Sequence, residues 1–257
     1  MKIHFLASSS RANCTLIEAR GELLVVDAGL PVKAFLGHLR TLFPNVKDHC
    51  LSALKGIVIS HHHADHAGRS GELSGALHVP LFASSETVEA AAQKVISKAE
   101  NVQVFTPGER FVVGAFRILP VETYHVPGAV GFRIETFEGS TAIFTDLPEI
   151  TEPIGKALEG CGVVAIEADY IEAMLATSDY VDDLKQRIRM THMATETLAR
   201  FLRNGFDATG LHDLVLLHLS TQCNIAFLSE AKIRAAVPPS VKVCAVSEGN
   251  LPLTVNL

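Results

Sequence analysis

The stretch Ile57-Val58-Ile59-Ser60-His61-His62-His63-Ala64-Asp65-His66-Ala67-Gly68 decides the fold. An unbroken apolar run reads as a buried strand, and it stops at a cluster of imidazoles and one carboxylate. Side chains two residues apart leave an extended chain on the same side, so His61 and His63 face one position. A turn through Ala64 lets Asp65 and His66 face a second position a few ångström away, and two divalent ions fit side by side. Imidazole with carboxylate suits zinc, manganese or iron, and the absence of thiolate at this spacing argues against a structural cysteine-zinc site. A solvated histidine tract would need neither the in-register Asp65 nor the small Ala67-Gly68 pair.

The pattern His61-x-His63-x-Asp65-His66 after a hydrophobic strand resembles the signature of the metallo-β-lactamase superfamily. That resemblance implies an α/β fold, a four-layer αββα sandwich of two mixed β-sheets with helices on both outer faces. A chain of 257 residues, 48% of them hydrophobic, is long enough for one such domain, and we read residues 1–257 as a single unit. Met1–Leu6 reads as a first strand and no apolar run approaches the length of a membrane span, so the expectation is a cytoplasmic protein with no membrane partner. The five cysteines at 14, 50, 161, 223 and 244 are widely spaced, without a C-x-x-C pair, and are expected to be reduced and mostly buried. A formal charge of −6 argues against coating nucleic acid by charge alone, although two divalent ions would return positive charge to the site itself.

In chain order, Ile3–Ala7 reads as a strand, followed by a Ser-rich loop in which Ser9, Arg11 and Asn13 are candidates to meet a phosphate. Thr15–Ala19 and Leu23–Gly29 read as hairpin strands. Pro31–Leu42 has helical spacing, as do a short segment at Gly71–Leu77 and a longer one at Glu86–Ser97 with Val88, Ala91 and Val95 on one stripe. Arg69, just past the metal cluster, either reaches a substrate phosphate or pairs with an acidic neighbour. Further apolar strands end at His125, Asp146 and His218, Val163–Tyr170 reads as another buried strand ending in carboxylates, and a helix is expected at Ala194–Leu202. His4, His49, His62, His78 and His212 have no partner spacing and read as structural or exposed.

The remaining assignments come from the resemblance. Asp27-Ala28-Gly29 resembles the superfamily's first motif and gives Asp27 a supporting role, orienting ligands by hydrogen bonds. His125 before Val130-Gly131-Phe132 is similar to the third motif of the phosphodiesterase branch, Asp146 to the carboxylate that bridges two ions, and His218 to the last ligand. The implied first site is His61, His63 and His125; the second is Asp65, His66 and His218. Asp65 also orients the nucleophile, a hydroxide between the ions, and Glu167 with His192 forms a pair beside the leaving group. Within the superfamily, the chain resembles the bacterial YycJ (WalJ)-type exonuclease family over nearly its whole length. The implied function is a dinuclear hydrolase of phosphodiesters, DNA by a 5′-to-3′ exonuclease-like action. The alternatives are a small cyclic phosphodiester, or a lactone, thioester or β-lactam.

Overall fold

The computed structural model describes residues 1–44, 52–91 and 93–257. Cys50 and His49 lie outside the described residues. Two sheets face each other. The first carries β1 (Lys2–Ser9), β2 (Ala12–Ala19), β3 (Glu22–Val26), β4 (Leu54–Val58), β5 (Leu81–Ser84) and β6 (Val102–Phe105) in that order, with β14 (Leu253–Asn256) beside β1. The second runs β13 (Lys242–Ala245), β12 (Asp213–Leu217), β11 (Val163–Glu167), β10 (Gly139–Phe144), β9 (Val130–Thr136), β8 (Phe116–Glu122) and β7 (Phe111–Val113).

Strand alternation sorts the apolar side chains into three layers. Ile3, Phe5, Ile17, Val58, Phe116, Phe132, Ile134 and Val163 fill the space between the sheets. Leu16, Val25 and Ile57 point the other way, against Phe35 and Leu39 of the helix Val32–Leu42 and Leu73 of the helix Ser70–Leu77. On the far side, Phe144, Ile166 and Leu216 pack on Ile154, Leu198, Leu202 and Ile233 from the helices Glu152–Leu158, Thr195–Arg203 and Ala226–Arg234. Each fully buried Phe, Leu or Ile contributes about 1.5–3 kcal/mol relative to exposure, so these stripes select the four layers that the motif implies.

Strand polarity positions the site. β3, β4, β5 and β6 are mutually parallel, as are β10, β11, β12 and β13. The C-terminal ends of β3, β4, β10, β11 and β12 deliver Asp27, His61, Asp146, Glu167 and His218 to one edge of the sandwich. Such carboxyl ends are where open parallel sheets bind ligands.

Three expectations need correction. The helix expected at Glu86–Ser97 is instead two short pieces, Ser85–Ala90 and Gln93–Ile96, with Ala91 extended at φ −64°, ψ 127°. The cause is close packing. The Val95 and Lys98 carbonyls sit where a Cβ on Gly71 or Gly75 would stand, at 1.7 and 2.4 Å, so the chain turns to lay its backbone on those two glycines. The strand read over Val163–Tyr170 stops at Glu167, with Asp169 and Tyr170 held by loop contacts, and the strand expected to end in His218 stops at Leu217.

Gly29 shows how tightly the metal-cluster turn is set against β3. A Cβ there would lie 1.9 Å from the Asp65 carbonyl oxygen and 2.8 Å from the Asn13 nitrogen, both backbone atoms that cannot rotate away. Gly29→Ala is expected to cost more than about 2 kcal/mol and to weaken metal uptake. Gly21→Ala, at φ +76° with open space around it, should cost only about 1 kcal/mol and spare metal uptake. Urea unfolding with metal titration of both variants checks this; equal effects would show that the contact at Gly29 is not tight.

Candidate metal centre

The site is built from second-layer bonds outward. Asp27 follows β3 in a left-handed conformation at φ 61° and is buried. Its Oδ1 accepts the Ser60 N–H at 2.8 Å; its Oδ2 accepts the Ser60 hydroxyl at 2.8 Å and lies 2.7 Å from His66 Nδ1. An imidazole held through Nδ1–H by a carboxylate presents its Nε2 lone pair to the site. Ser60 Oγ lies 3.1 Å from His61 Nδ1 and serves that ring likewise. His125 Nδ1 donates to the Thr191 carbonyl at 2.9 Å, which frees its Nε2.

The freed nitrogens converge. His61, His63 and His125 form one group whose candidate ligand atoms lie within 4.8 Å of each other. His125 Nε2 faces His63 Nδ1 at 3.2 Å. Asp65, His66 and His218 form a second group, and His61, His66 and Asp146 join the two. Asp146 Oδ2 lies 3.0 Å from His66 Nε2, and its Oδ1 lies 3.6 Å from His125 Nε2 and 3.8 Å from His218 Nε2. His61 Nε2, His218 Nε2 and Asp146 Oδ2 are buried without a hydrogen-bond partner. Buried polar atoms left unpaired cost kilocalories each, and three aimed into one space fit cations placed between them. The donor set, imidazole and carboxylate, suits zinc, manganese or iron.

Charge balance follows the same pattern. Burial lowers the His61 and His63 rings, and neighbouring imidazoles add to it. Burial also opposes charge on His66 and His218, but Asp146, with Asp27 for His66 and Asp65 for His218, outweighs it and raises both. Burial pushes Asp65 up, yet the His218 and His66 rings hold it below the ordinary carboxylate range. Beside the ligands, Glu167 is fully buried and accepts from His192 Nδ1 at 2.8 Å, Leu147 N–H at 2.9 Å and Met193 N–H at 3.2 Å. Burial lowers His192, but the Glu167 carboxylate overrides it and lifts the ring to about 9. The His192 and His218 rings stack at 5.3 Å, 7° apart.

The candidate substrate residues divide. Asn13 turns inward: its Nδ2 donates to Ser9 O at 2.9 Å and Asp65 Oδ2 at 3.1 Å and lies 2.9 Å from His66 Nε2, so it supports the cluster rather than facing solvent. Ser9 Oγ accepts the Arg11 N–H within the β1–β2 turn, whose tip carries exposed Arg11. Arg69 pairs with Glu72 at 3.4 Å on the surface. His62 contributes to none of the converging groups. Ser60 and the Thr191 carbonyl had no sequence signal beyond their position next to a ligand. The described cysteines are free, three of them buried, and no described helix is long and apolar enough to cross a membrane.

Two facing mixed sheets with this histidine and aspartate cluster at their shared edge define a metal-dependent hydrolase of the metallo-β-lactamase fold. The chain belongs to the β-lactamase superfamily domain family, whose model matches residues 23–231. It is 25% identical over 243 residues to exodeoxyribonuclease YycJ of Bacillus anthracis, covering 91% of this chain and 88% of that one. It is 28% identical over 235 residues to exodeoxyribonuclease WalJ of Streptococcus pneumoniae, covering 89% and 85%. In structure it is similar to the metallo-β-lactamase fold protein YhfI from Bacillus subtilis, with a TM-score of 0.74 at 17% identity over 99% of both chains.

Removing the carboxylate that orients His66 is expected to lower metal affinity without unfolding the chain. Asp27→Ala should weaken metal binding 10- to 100-fold, the usual effect of losing such a partner. Competition against a chelator measures it; unchanged affinity would mean that His66 does not depend on Asp27.

Proposed function

We propose that the chain is a dinuclear metal-dependent phosphodiesterase acting on DNA, exonuclease-like, with one ion at His61, His63 and His125, a second at Asp65, His66 and His218, and Asp146 shared between them. The observation that carries this is Asp146, a buried carboxylate whose Oδ2 lies 3.0 Å from His66 Nε2 and whose Oδ1 lies 3.6, 3.7 and 3.8 Å from nitrogens of His125, His192 and His218. The curated relatives named exodeoxyribonucleases, matched over most of their length, support a DNA substrate.

Zinc or manganese held by these residues would make a water-derived nucleophile available at neutral pH and would neutralise charge building on the phosphoryl oxygens. Asp65 holds and orients that water through its carboxylate. His192, fixed through Nδ1 by Glu167, keeps a proton at Nε2 and donates it to the departing oxygen. Glu167 keeps that proton in place, because the ring is more basic beside a buried carboxylate.

A second reading, a small or cyclic phosphodiester, draws support from the surface charge. Of the basic residues close in sequence to the cluster, Arg69 is paired with Glu72, Arg189 with Glu172 at 2.6 Å, and Lys185 donates to the Ala176 carbonyl. A net charge of −6 also gives the chain little overall attraction for a phosphate backbone.

The deciding assay uses manganese- or zinc-loaded protein on end-labelled single- and double-stranded DNA beside a cyclic phosphodiester. Stepwise loss of DNA that disappears with Asp65→Ala supports the first reading; turnover of the small ester alone replaces it with the second, and no cleavage of either rejects both. His192→Asn should slow DNA cleavage by 10²- to 10⁴-fold, but should slow bis(p-nitrophenyl) phosphate far less, because nitrophenolate leaves without a proton. Equal losses on the two substrates would rule out His192 as the proton donor.

A further inference from the structure

Tyr124 stands one residue before the candidate ligand His125 and has no part in the chemistry above. It lies just past the end of β8 in a left-handed conformation, φ 57°, which a bulky aromatic residue rarely adopts, and it is 66% exposed. The other two tyrosines are used in packing. Tyr170 is buried in a cluster with Leu175 and Cys223, and Tyr180 packs against that cluster. The Tyr124 ring and hydroxyl have no ring contact and no hydrogen bond among the described residues.

What the ring has instead is space. Tyr124 lines two cavities. One, of about 270 Å³, is lined also by His125 and by residues 126–129 of the loop that follows. The other, of about 620 Å³, is lined also by Arg110, Leu119 and Pro153. Exposed Glu122 lines both cavities with it. Adjacent Cα atoms are about 3.8 Å apart, so the phenol starts one residue away from a candidate metal ligand. Strained backbone persists where the surrounding structure holds it, and beside a reaction centre it points to a contact that a ligand completes.

We propose that Tyr124 is the stacking platform for a nucleobase: the phosphate of a nucleotide goes to the histidine and aspartate cluster, and its base lies on the phenol ring in the space the ring lines. The inference rests on the phosphodiesterase reading and names the part of the substrate held beside that centre. Two features select a base. An aromatic face accepts every base by stacking, with no hydrogen-bond pattern to match, which suits stepwise removal of nucleotides from any sequence. The Glu122 carboxylate next to the ring repels phosphate, so the group placed there is the uncharged part of the nucleotide.

The chain contains no tryptophan, so Tyr124→Trp puts a sole indole at the contact. In the zinc-loaded protein its emission is expected to be quenched by deoxyadenosine 5′- or 3′-monophosphate, and not by 2-deoxyribose 5-phosphate or inorganic phosphate. Calorimetry with the same ligands measures the energetics. In the wild type, the tighter monophosphate is expected to bind better than deoxyribose phosphate. Tyr124→Ala should lose roughly 5-fold or more of that advantage, the scale of stacking one base on an aromatic ring, while the two base-free ligands stay within about twofold. Tyr124→Phe should keep the advantage, and quenching in the tryptophan variant decides the matter if the alanine variant does not fold. A folded alanine variant with the full advantage overturns the proposal, as does an indole that no nucleotide quenches. A phenylalanine variant as weak as the alanine one also overturns it, because the hydroxyl and not the ring face is then the contact. Equal weakening of every ligand does the same, because it marks a structural effect through His125. Wild-type protein that binds the base-free ligands as tightly as the monophosphates rejects the stacking role alone, whereas wild-type protein that binds none of them brings down the phosphodiesterase reading and this inference with it.

Discussion

The bond network on Asp27 is the constraint from which the site is built. One buried carboxylate takes the main chain and hydroxyl of Ser60 at the end of β4 and the Nδ1 of His66 one turn later. It thereby joins two parallel strands to the histidine turn and sets the tautomer of a candidate ligand in the same act. The turn is closed on the other side by backbone bonds, Ala28 N–H to His66 O at 2.7 Å and Arg69 N–H to Ala28 O at 3.0 Å. Rigid placement of this kind separates a ligand set from a group of nearby histidines.

The two sheets must also meet in register at that edge, because each supplies only part of the cluster. Polar contacts that cross between them include Val130 N–H to Ser60 O at 3.0 Å, His218 N–H to Ser8 Oγ at 2.8 Å, and Ser84 Oγ to Gly128 O at 2.8 Å. Strain gathers at the same place. Asp27, Tyr124, Asp146 and His218 are all non-glycine residues with φ between 54° and 61°, and three of them are candidate ligands or their support. Left-handed backbone costs about 1–2 kcal/mol per residue, and chains retain it where an end-of-strand side chain must be turned sharply toward a site.

Much of this was legible because the chemistry sits at strand ends. An apolar run that ends in His61, Asp146, Glu167 or His218 identifies both the strand and the residue it presents. What escaped the sequence depends on long-range contacts. Asn13 reads as a loop residue until β2 and the histidine turn are brought together, and only then does its amide meet Asp65. The break at Ala91 depends on Gly71 and Gly75, on the preceding helix. The helix Asp182–Thr191 buries none of its residues, so no apolar stripe announced it, yet its last carbonyl orients His125.

Electrostatics explains why a chain of net negative charge can bury so many acids at one edge. Asp27, Asp146, Glu167 and Asp169 are all buried there, and Asp65 is partly so. Each ionised group needs a compensating charge in a medium where unpaired ions cost several kilocalories. Protons on His66 and His218 supply part of it, held there by Asp146 and the flanking carboxylates against the cost of burial. Divalent cations held by these residues would balance the same carboxylates, and ions and protons would then compete for one set of nitrogen lone pairs. The acids that raise these two rings therefore also strengthen cation binding, and the competition turns in favour of the cation as pH rises.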